Sequence, residues 1–429
     1  FTNTVPVDAY RGAGRPEATY VTERLVEAAA RIIGIDAIEL RKKNFIQPDQ
    51  FPYASPGTLT YDSGDYQATL DSALQAIDYK NFEKRKEKSQ NTGKFRGLGI
   101  SCYIEACGVA PSKVTLEAGG RGGYYESATV RINPTGSVSV FIGSHSHGQG
   151  HETVFSQIVH EKLGVPFESV DIVHGDTGRI PFGVGTVGSR SLAVGGAALV
   201  KSLEKIINKG KDIAAHLLES SVDEIIFENG EFSIENSNKF VSLGDVIGAA
   251  YVPGNYPIER LEPGLEETSF YDPPNLTFPA GAHICEVEID PETGQTKIEN
   301  YCVSDDFGII INPMIVEGQV HGGVAQGIGQ AMLENCVYEE ETAQLLNGSF
   351  MDYTMPRADS VPHMIVKTEV TPCVHGLGVK GCGEAGAIAA PPAVIHAIID
   401  ALKDLGVKDF EMPATPDKVW KAIQSSQNN

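Results

Sequence analysis

The sequence lacks what would tie it to a nucleic acid, a membrane or a disulfide framework. Lys and Arg number 34 against 56 Asp and Glu, a net charge of −22. A phosphate backbone would therefore meet repulsion over most of the surface. No apolar run reads as reaching the ~18–20 residues that a bilayer crossing needs. No leader segment is visible, which points to a cytoplasmic protein. The cysteines (Cys102, Cys107, Cys285, Cys302, Cys336, Cys373 and Cys382) include no C-x-x-C pair. That spacing argues against a zinc, iron–sulfur or dithiol site held by this chain alone, and reduced, mostly buried thiols are expected.

What is present suffices for packed cores. Apolar residues make up 41 % of 429 residues, and the chain exceeds the ~250–300 residues at which a single core stops growing. Two or more subdomains are expected, divided in the Pro/Gly-rich stretch from Pro253 to Pro279 into parts 1–275 and 276–429. The opening at Phe1 runs β-branched residues straight into a glycine-rich turn. It reads as the middle of something: a processed product, a fragment or one piece of a split subunit.

The patterning predicts an α+β fold with mixed sheets and packed helices. Pro16, apolar residues at helical spacing and Gly34 predict a first helix, and Asp36 with Glu39 opens a second through Phe45. Residues 46–66 read as an extended excursion and 67–90 as one helix. Strands are predicted at Gly97–Ala106, Lys113–Glu117, Tyr125–Ile132, Ser137–Ile142 and Ser169–His174, with a turn at Pro134-Thr135-Gly136. Helices are predicted over Glu152–Leu163, from near Leu192, and from Pro313 to about Glu334. A hairpin is signalled at Pro291–Gly294, and a last helix follows Gly383-Glu384.

Four loops join glycines to polar groups at helix starts. The first is Ala9-Tyr10-Arg11-Gly12-Ala13-Gly14-Arg15-Pro16, whose arginines offer forks for anionic or carbonyl groups. In the second, His145, His147 and His151 surround Gly148-Gln149-Gly150. Their spacing matches no known zinc pattern, so a ligand oxygen held by the Gln149 amide and backbone N–H groups is the better reading. The third, Gly183 to Ser191, suits a diphosphate but is neither a Walker loop nor a Rossmann turn. The fourth, Gly376 to Gly386, places Glu384 between glycines and an apolar helix, where a desolvated carboxylate is the better proton acceptor. Taken singly, each also has an ordinary reading: a helix entry, a polar capped helix, or a first-turn Glu that favours the helix dipole.

Together, AYRGAGRPEA, HGQGHET, GVGTVGSRS, INPMIVEGQVHGGVAQGIGQAMLE and GVKGCGEAGAIAAPPAV resemble the molybdenum-cofactor subunit of the xanthine dehydrogenase/aldehyde oxidase/aerobic carbon monoxide dehydrogenase family, from about Thr4 to Leu402. The resemblance implies a molybdenum hydroxylase that inserts water-derived oxygen into an aldehyde or N-heteroaromatic C–H. Glu384 matches the general base that takes a proton from the attacking oxygen, and Arg11 the arginine that positions substrate or stabilises oxyanion charge. Gly12, Gly148, Gln149 and Gly150 match cofactor-contacting loops, and Thr186, Gly188, Ser189, Arg190 and Ser191 a pterin-dinucleotide segment. Gln319, Gly322, Gln326 and Gly327 match the helix beneath the cofactor, and Lys380, Gly381, Cys382 and Gly383 the loop leading to the base. The metal would be held by the pterin dithiolene and by no protein side chain.

The implied cofactor is a molybdopterin, with the cytosine dinucleotide form favoured by bacterial relatives built of separate subunits. The implied partners are a [2Fe–2S] subunit, an FAD subunit and a chain or segment supplying the family's N-terminal half with its G-G-G-F-G loop, assembled as a dimer of heteromers. Carbon monoxide oxidisers of the family read A-Y-R-C-S-F-R in the first loop, with a copper-carrying cysteine where this sequence has Gly12. Three other readings remain: a non-catalytic or incomplete cofactor-binding or assembly subunit, a carbon monoxide dehydrogenase-like protein lacking the copper-carrying cysteine, and a metallohydrolase built on His145, His147 and His151.

Overall fold

The structure, a computed structural model, describes residues 6–427; Thr4, where the resemblance begins, lies outside them. Helix α1 (Arg15–Ile33) has Pro16 in its first turn and ends on Gly34 in the left-handed conformation, whose N–H donates to the Ala30 carbonyl. Helix α2 (Ala37–Asn44) starts where the Asp36 carboxylate accepts from the Ile38 and Glu39 amides. A short antiparallel pair, β1 (Tyr53–Ala54) and β2 (Thr60–Tyr61), lies in the excursion. The helix predicted over 67–90 is two, α3 (Tyr66–Ala76) and α4 (Phe82–Gln90), because Asp78 takes a left-handed conformation between them. Strand β3 (Phe95–Ile104) follows.

The next stretch forms a unit of its own. Residues predicted as a strand at Lys113–Glu117 form helix α5 (Ser112–Glu117). A run this short satisfies either period; it is closed as a helical turn between Pro111 and the left-handed Gly119. Strands β4 (Glu126–Ile132) and β5 (Val138–Ile142) make the expected hairpin, and α6 (His151–Leu163) stops at left-handed Gly164. Strand β6 (Val170–Val173) returns parallel to β5. The long helix opens with a wide turn over Ser191–Gly196 and continues as α7 (Ala197–Leu218). Three small antiparallel strands, β7 (Ile225–Glu228), β8 (Glu231–Ile234) and β9 (Phe240–Ser242), precede α8 (Leu243–Tyr251) and β10 (Leu265–Tyr271). The main sheet runs β10-β4-β5-β6, with α7 packed across β10 and β4.

The chain then returns to the first unit with β11 (Ala280–Ile289), β12 (Thr296–Asp306), α9 (Pro313–Met332), β13 (Met364–Glu369), α10 (Ala385–Leu402) and an unanticipated α11 (Pro416–Gln427). Its sheet runs β13-β12-β11-β3, antiparallel except for the parallel β12–β13 pair. The fold is thus α+β with mixed sheets. The division differs from 1–275 and 276–429: one unit comprises Phe1–Ala106, Phe278–Cys373 and Lys380–Asn429, the other Cys107–Thr277 and Val374–Val379. The cause is non-local. Strand β3 pairs with β11 from Phe95↔Ile289 to Ile104↔Ala280, which ties the opening 106 residues to the later part of the chain.

Helix α10 forms the core of this unit, packed on β3, β11 and α9. It is the one helix among the described residues long and apolar enough to cross a membrane, and 94 % of that stretch is buried inside the protein. Its backbone meets strand and helix backbone directly. A Cβ on Gly99 would sit 2.1 Å from the Ala393 carbonyl oxygen, and one on Gly386 2.6 Å from the Val324 nitrogen. Buried His396 pairs Nδ1 with the Ile100 carbonyl oxygen at 2.8 Å. Burial pushes its pKa from 6.5 down to about 3.

Two outcomes are expected. Gly99→Val should destabilise the protein by at least ~1–3 kcal/mol through overpacking, read as a lower denaturant midpoint. Between pH 6.5 and pH 3 the unfolded chain binds a proton at position 396 that the folded chain refuses. Stability should therefore fall with pH across that window by up to ~1.4 kcal/mol per unit from this group. His396→Leu should show a shallower fall than wild type over the same window.

Candidate functional site

In the first unit the loop before α1 and the loop before α10 meet. Ala13 N–H donates to Tyr10 O and Arg15 N–H to Gly12 O, closing a tight turn. Gly12 has φ +100°, and a Cβ there would come within 2.4 Å of Pro16 Cγ, so the position requires glycine. That turn aims the Gly12 N–H at Glu384 Oε1, 3.0 Å away. Beside it, Arg11 Nε donates to Gly383 O at 2.7 Å, and Nη2 donates to both Gln319 O and Gln319 Oε1 at 3.2 Å. The two candidate catalytic residues, Arg11 and Glu384, are thereby held in one constellation. Glu384 is half-buried rather than enclosed as its apolar flank suggested.

Gln319, Gly322 and Gln326 fall on one face of α9, at helical spacing of three and four. Gln319 receives Arg11, Gln326 bonds the Tyr10 hydroxyl, and a Cβ on Gly322 would lie 3.4 Å from Arg11 Nη1. Gly327 instead faces Ala390 and Pro391 of α10 and serves helix packing. Burial lowers the Arg11 pKa, opposed by the acidic groups around it, the Glu384 and Glu105 carboxylates among them. Burial pushes the Cys382 thiol up to about 12, with the Glu105 charge adding to it, so it is a neutral neighbour of Arg11. Lys380 points into the interior, its Nζ 2.7 Å from Asp306 Oδ2.

In the second unit the loops 143–150 and 183–191 are stitched together. Gly185 N–H donates to Gly143 O at 3.2 Å, and Thr186 Oγ1 donates to His145 O at 2.6 Å and lies 2.8 Å from Ser191 Oγ. Gly148 and Gly150 both have positive φ. The Gln149 amide folds back on its own loop, accepting from the His147 N–H. Gly188 O accepts from Gly108 N–H, and Ser189 sits in the left-handed region at φ 49°. Arg190 is fully buried: it donates to Glu126 Oε2 at 2.7 Å and to the carbonyls of Val109, Tyr124 and Tyr125 at 2.7, 3.0 and 3.1 Å. Burial pushes the Glu126 carboxyl up and the Arg190 guanidinium down, each against the pull of the other. Arg190 therefore braces the loop from beneath.

Sequence reasoning missed Glu126, Asp306, Thr371 and Glu105. A signal existed for Glu126, Asp306 and Glu105: a carboxylate in an apolar strand, or just past one, needs a partner. His174, Nε2 2.8 Å from Glu152 Oε1, joins His145 and His147. Among the described residues no His/Cys/Asp/Glu group is arranged to hold a metal ion, and all seven cysteines are free thiols.

Family models described as molybdopterin cofactor-binding domains match residues 1–45 and 72–362. The chain belongs to this family, as a molybdenum-cofactor-binding large subunit of the xanthine dehydrogenase, aldehyde oxidase and carbon monoxide dehydrogenase group. It is 38 % identical to the carbon monoxide dehydrogenase large chain of Hydrogenophaga pseudoflava, covering 99 % of this chain and 53 % of that one. It is 37 % identical to the nicotine 6-hydroxylase large subunit of Paenarthrobacter nicotinovorans, covering 99 % and 52 %. The crystal structure of quinoline 2-oxidoreductase from Pseudomonas putida 86 superimposes with a TM-score of 0.92 at 35 % identity, covering 98 % of this chain and 54 % of that one. The chain thus spans about half the length of the relatives it matches.

The donors present fit such a cofactor. Helices α1 and α10 in one unit and α6 in the other begin at Gly14, Glu384 and Gly150 with no side-chain cap. Their first-turn N–H groups are the kind of donor that binds phosphate and pterin oxygens. Arg190→Met should leave Glu126 buried without its counter-charge and cost ~3–5 kcal/mol of stability, measured by equilibrium unfolding.

Proposed function

We propose that this chain is the molybdenum-bearing part of a hydroxylase that oxidises an aldehyde or an N-heteroaromatic C–H with water-derived oxygen. The observation that carries the reading is the meeting of Arg11, Gly12, Gly383 and Glu384 from loops 372 residues apart. Relatives named for nicotine and quinoline favour an N-heteroaromatic substrate. The molybdenum pterin, when bound, supplies the two-electron acceptor and the oxygen that enters the product.

The chain's own residues do the rest. Glu384 takes the proton from the attacking oxygen. The Gly12 amide fixes one carboxylate oxygen, so the proton-accepting group holds one orientation throughout the reaction. Arg11, anchored on Gly383 O and Gln319, keeps a positive charge beside the place where oxyanion charge develops. In the one unit the 381–383 loop, and in the other Gly148, Gln149, Gly150 and the backbone of 186–191, are the groups that would hold the cofactor. Thr186, Ser191, Arg190 and Lys380 act by shaping those loops. We further assign the cofactor as the cytosine dinucleotide. A [2Fe–2S] subunit and an FAD subunit carry electrons away, and a companion segment completes the large subunit. Gly12 in place of a copper-carrying cysteine sets this chain apart from copper-dependent carbon monoxide oxidation.

Glu384→Gln in the assembled enzyme tests the reading. Molybdenum and pterin content should stay at wild-type level while kcat falls ~10²–10⁴-fold. Wild-type turnover in that variant would refute the assignment. Loss of the cofactor instead would show that Glu384 holds the cofactor rather than the proton.

A further inference from the structure

The general-base loop has a feature that the proposed chemistry leaves unused. Between Lys380 and Glu384 lie only Gly381, Cys382 and Gly383, and two glycines in three residues make a flexible connector. Glu384 nonetheless meets one amide, that of Gly12 at 3.0 Å, and Gly383 O meets one guanidinium nitrogen, Arg11 Nε at 2.7 Å. Both ends of so short a segment must be pinned for that to hold. The far end is the first turn of α10, buried in the core. The near end is Lys380.

Lys380 is pinned through every donor it has. Its backbone N–H donates to Phe307 O at 2.8 Å. The three ammonium protons serve Asp306 Oδ2 at 2.7 Å, Thr371 Oγ1 at 3.1 Å and Ser63 O at 3.3 Å. Asp306 is equally committed. Its Oδ1 accepts from Gly308 N–H at 2.9 Å and Thr371 N–H at 3.1 Å, and its Oδ2 also accepts from the Thr371 hydroxyl. The two side chains are 0 % and 2 % exposed. A pair so saturated has nothing left for a ligand. A buried pair also contributes little net stability over apolar residues of the same volume, whereas it does fix geometry, because each partner tolerates only one arrangement. The pair joins the end of β12, the turn after it and the segment following β13 to the start of the 380–384 loop.

We propose that Lys380 and Asp306, with Thr371 as their bridge, are positioning residues that set where Gly383 O and the Glu384 carboxylate meet Arg11 and Gly12. The catalytic consequence rests on Glu384 being the general base; the placement itself does not.

The test is residue-level amide hydrogen exchange on the full chain without cofactor. In Lys380→Met, exchange at Gly12 and across 381–386 should rise by about tenfold or more, while the paired amides of β3 and β11 keep wild-type protection. Thr371→Val, which leaves the charges paired but removes the hydroxyl bridge, should raise the same amides by a smaller factor, and it carries the test alone if Lys380→Met does not fold. Unchanged exchange at Gly12 in a folded variant overturns the proposal. So does a uniform rise across β3 and β11, which would mark the pair as merely stabilising. The readout is independent of turnover: an active Glu384→Gln enzyme would refute the base assignment and leave the Gly12 result standing.

Discussion

The seating of α10 is the constraint on which this unit depends. The helix has no room for Cβ atoms where β3 and α9 press on it, at Gly99 and Gly386, so its backbone can occupy one position only. Interiors packed at crystal-like density transmit such a constraint rather than absorb it. The first turn of α10 presents Glu384, and the strand beneath contributes the Ile100 carbonyl to His396. Through α9 the same helix fixes the face that carries Gln319 and Gln326. Arg11 and Tyr10 can reach those amides only because α1 also packs on α10.

Two charged residues in the glycine-rich motifs turn out to serve the scaffold. Arg190 and Lys380 lie in glycine-rich loops with half-buried neighbours such as Ser189 and Gly383, yet each is consumed by a buried carboxylate and by carbonyls. An irregular loop that must expose N–H groups to a ligand cannot also satisfy itself by regular pairing. A buried cation reaching several carbonyls at once supplies the missing rigidity. Both units use this device independently, one beneath 183–191 and the other at the root of 380–384.

Much of this architecture was legible from local chemistry. Pro16, Gly34, Asp36, Gly164 and Pro313 each mark a helix end by a backbone requirement that reads directly from the residue. The turns at Pro134–Gly136 and Pro291–Gly294 likewise announced their hairpins. What escaped was decided elsewhere in the chain. The break at Asp78 relies on a conformation that Asp tolerates without demanding it, and Lys113–Glu117 was too short to reveal its period. The pairing of β3 with β11 joins segments some 180 residues apart, so no local composition could show that the units interleave. The site followed the same rule: Arg11 and Glu384 were recognisable by motif, whereas the true partners of Arg190 and Lys380 depended on strands the motifs do not contain.

Most of the bonds that arrange Arg11 and Glu384 end on main-chain atoms: the Gly12 nitrogen and the carbonyl oxygens of Gly383 and Gln319. Gly12 apart, whose turn requires glycine, such main-chain positions are inherited from the fold, not from the identity of the residue bearing them. Side chains lining the surrounding space are thus free to drift, and a lineage can retune what it accepts while its reactive geometry stays in register.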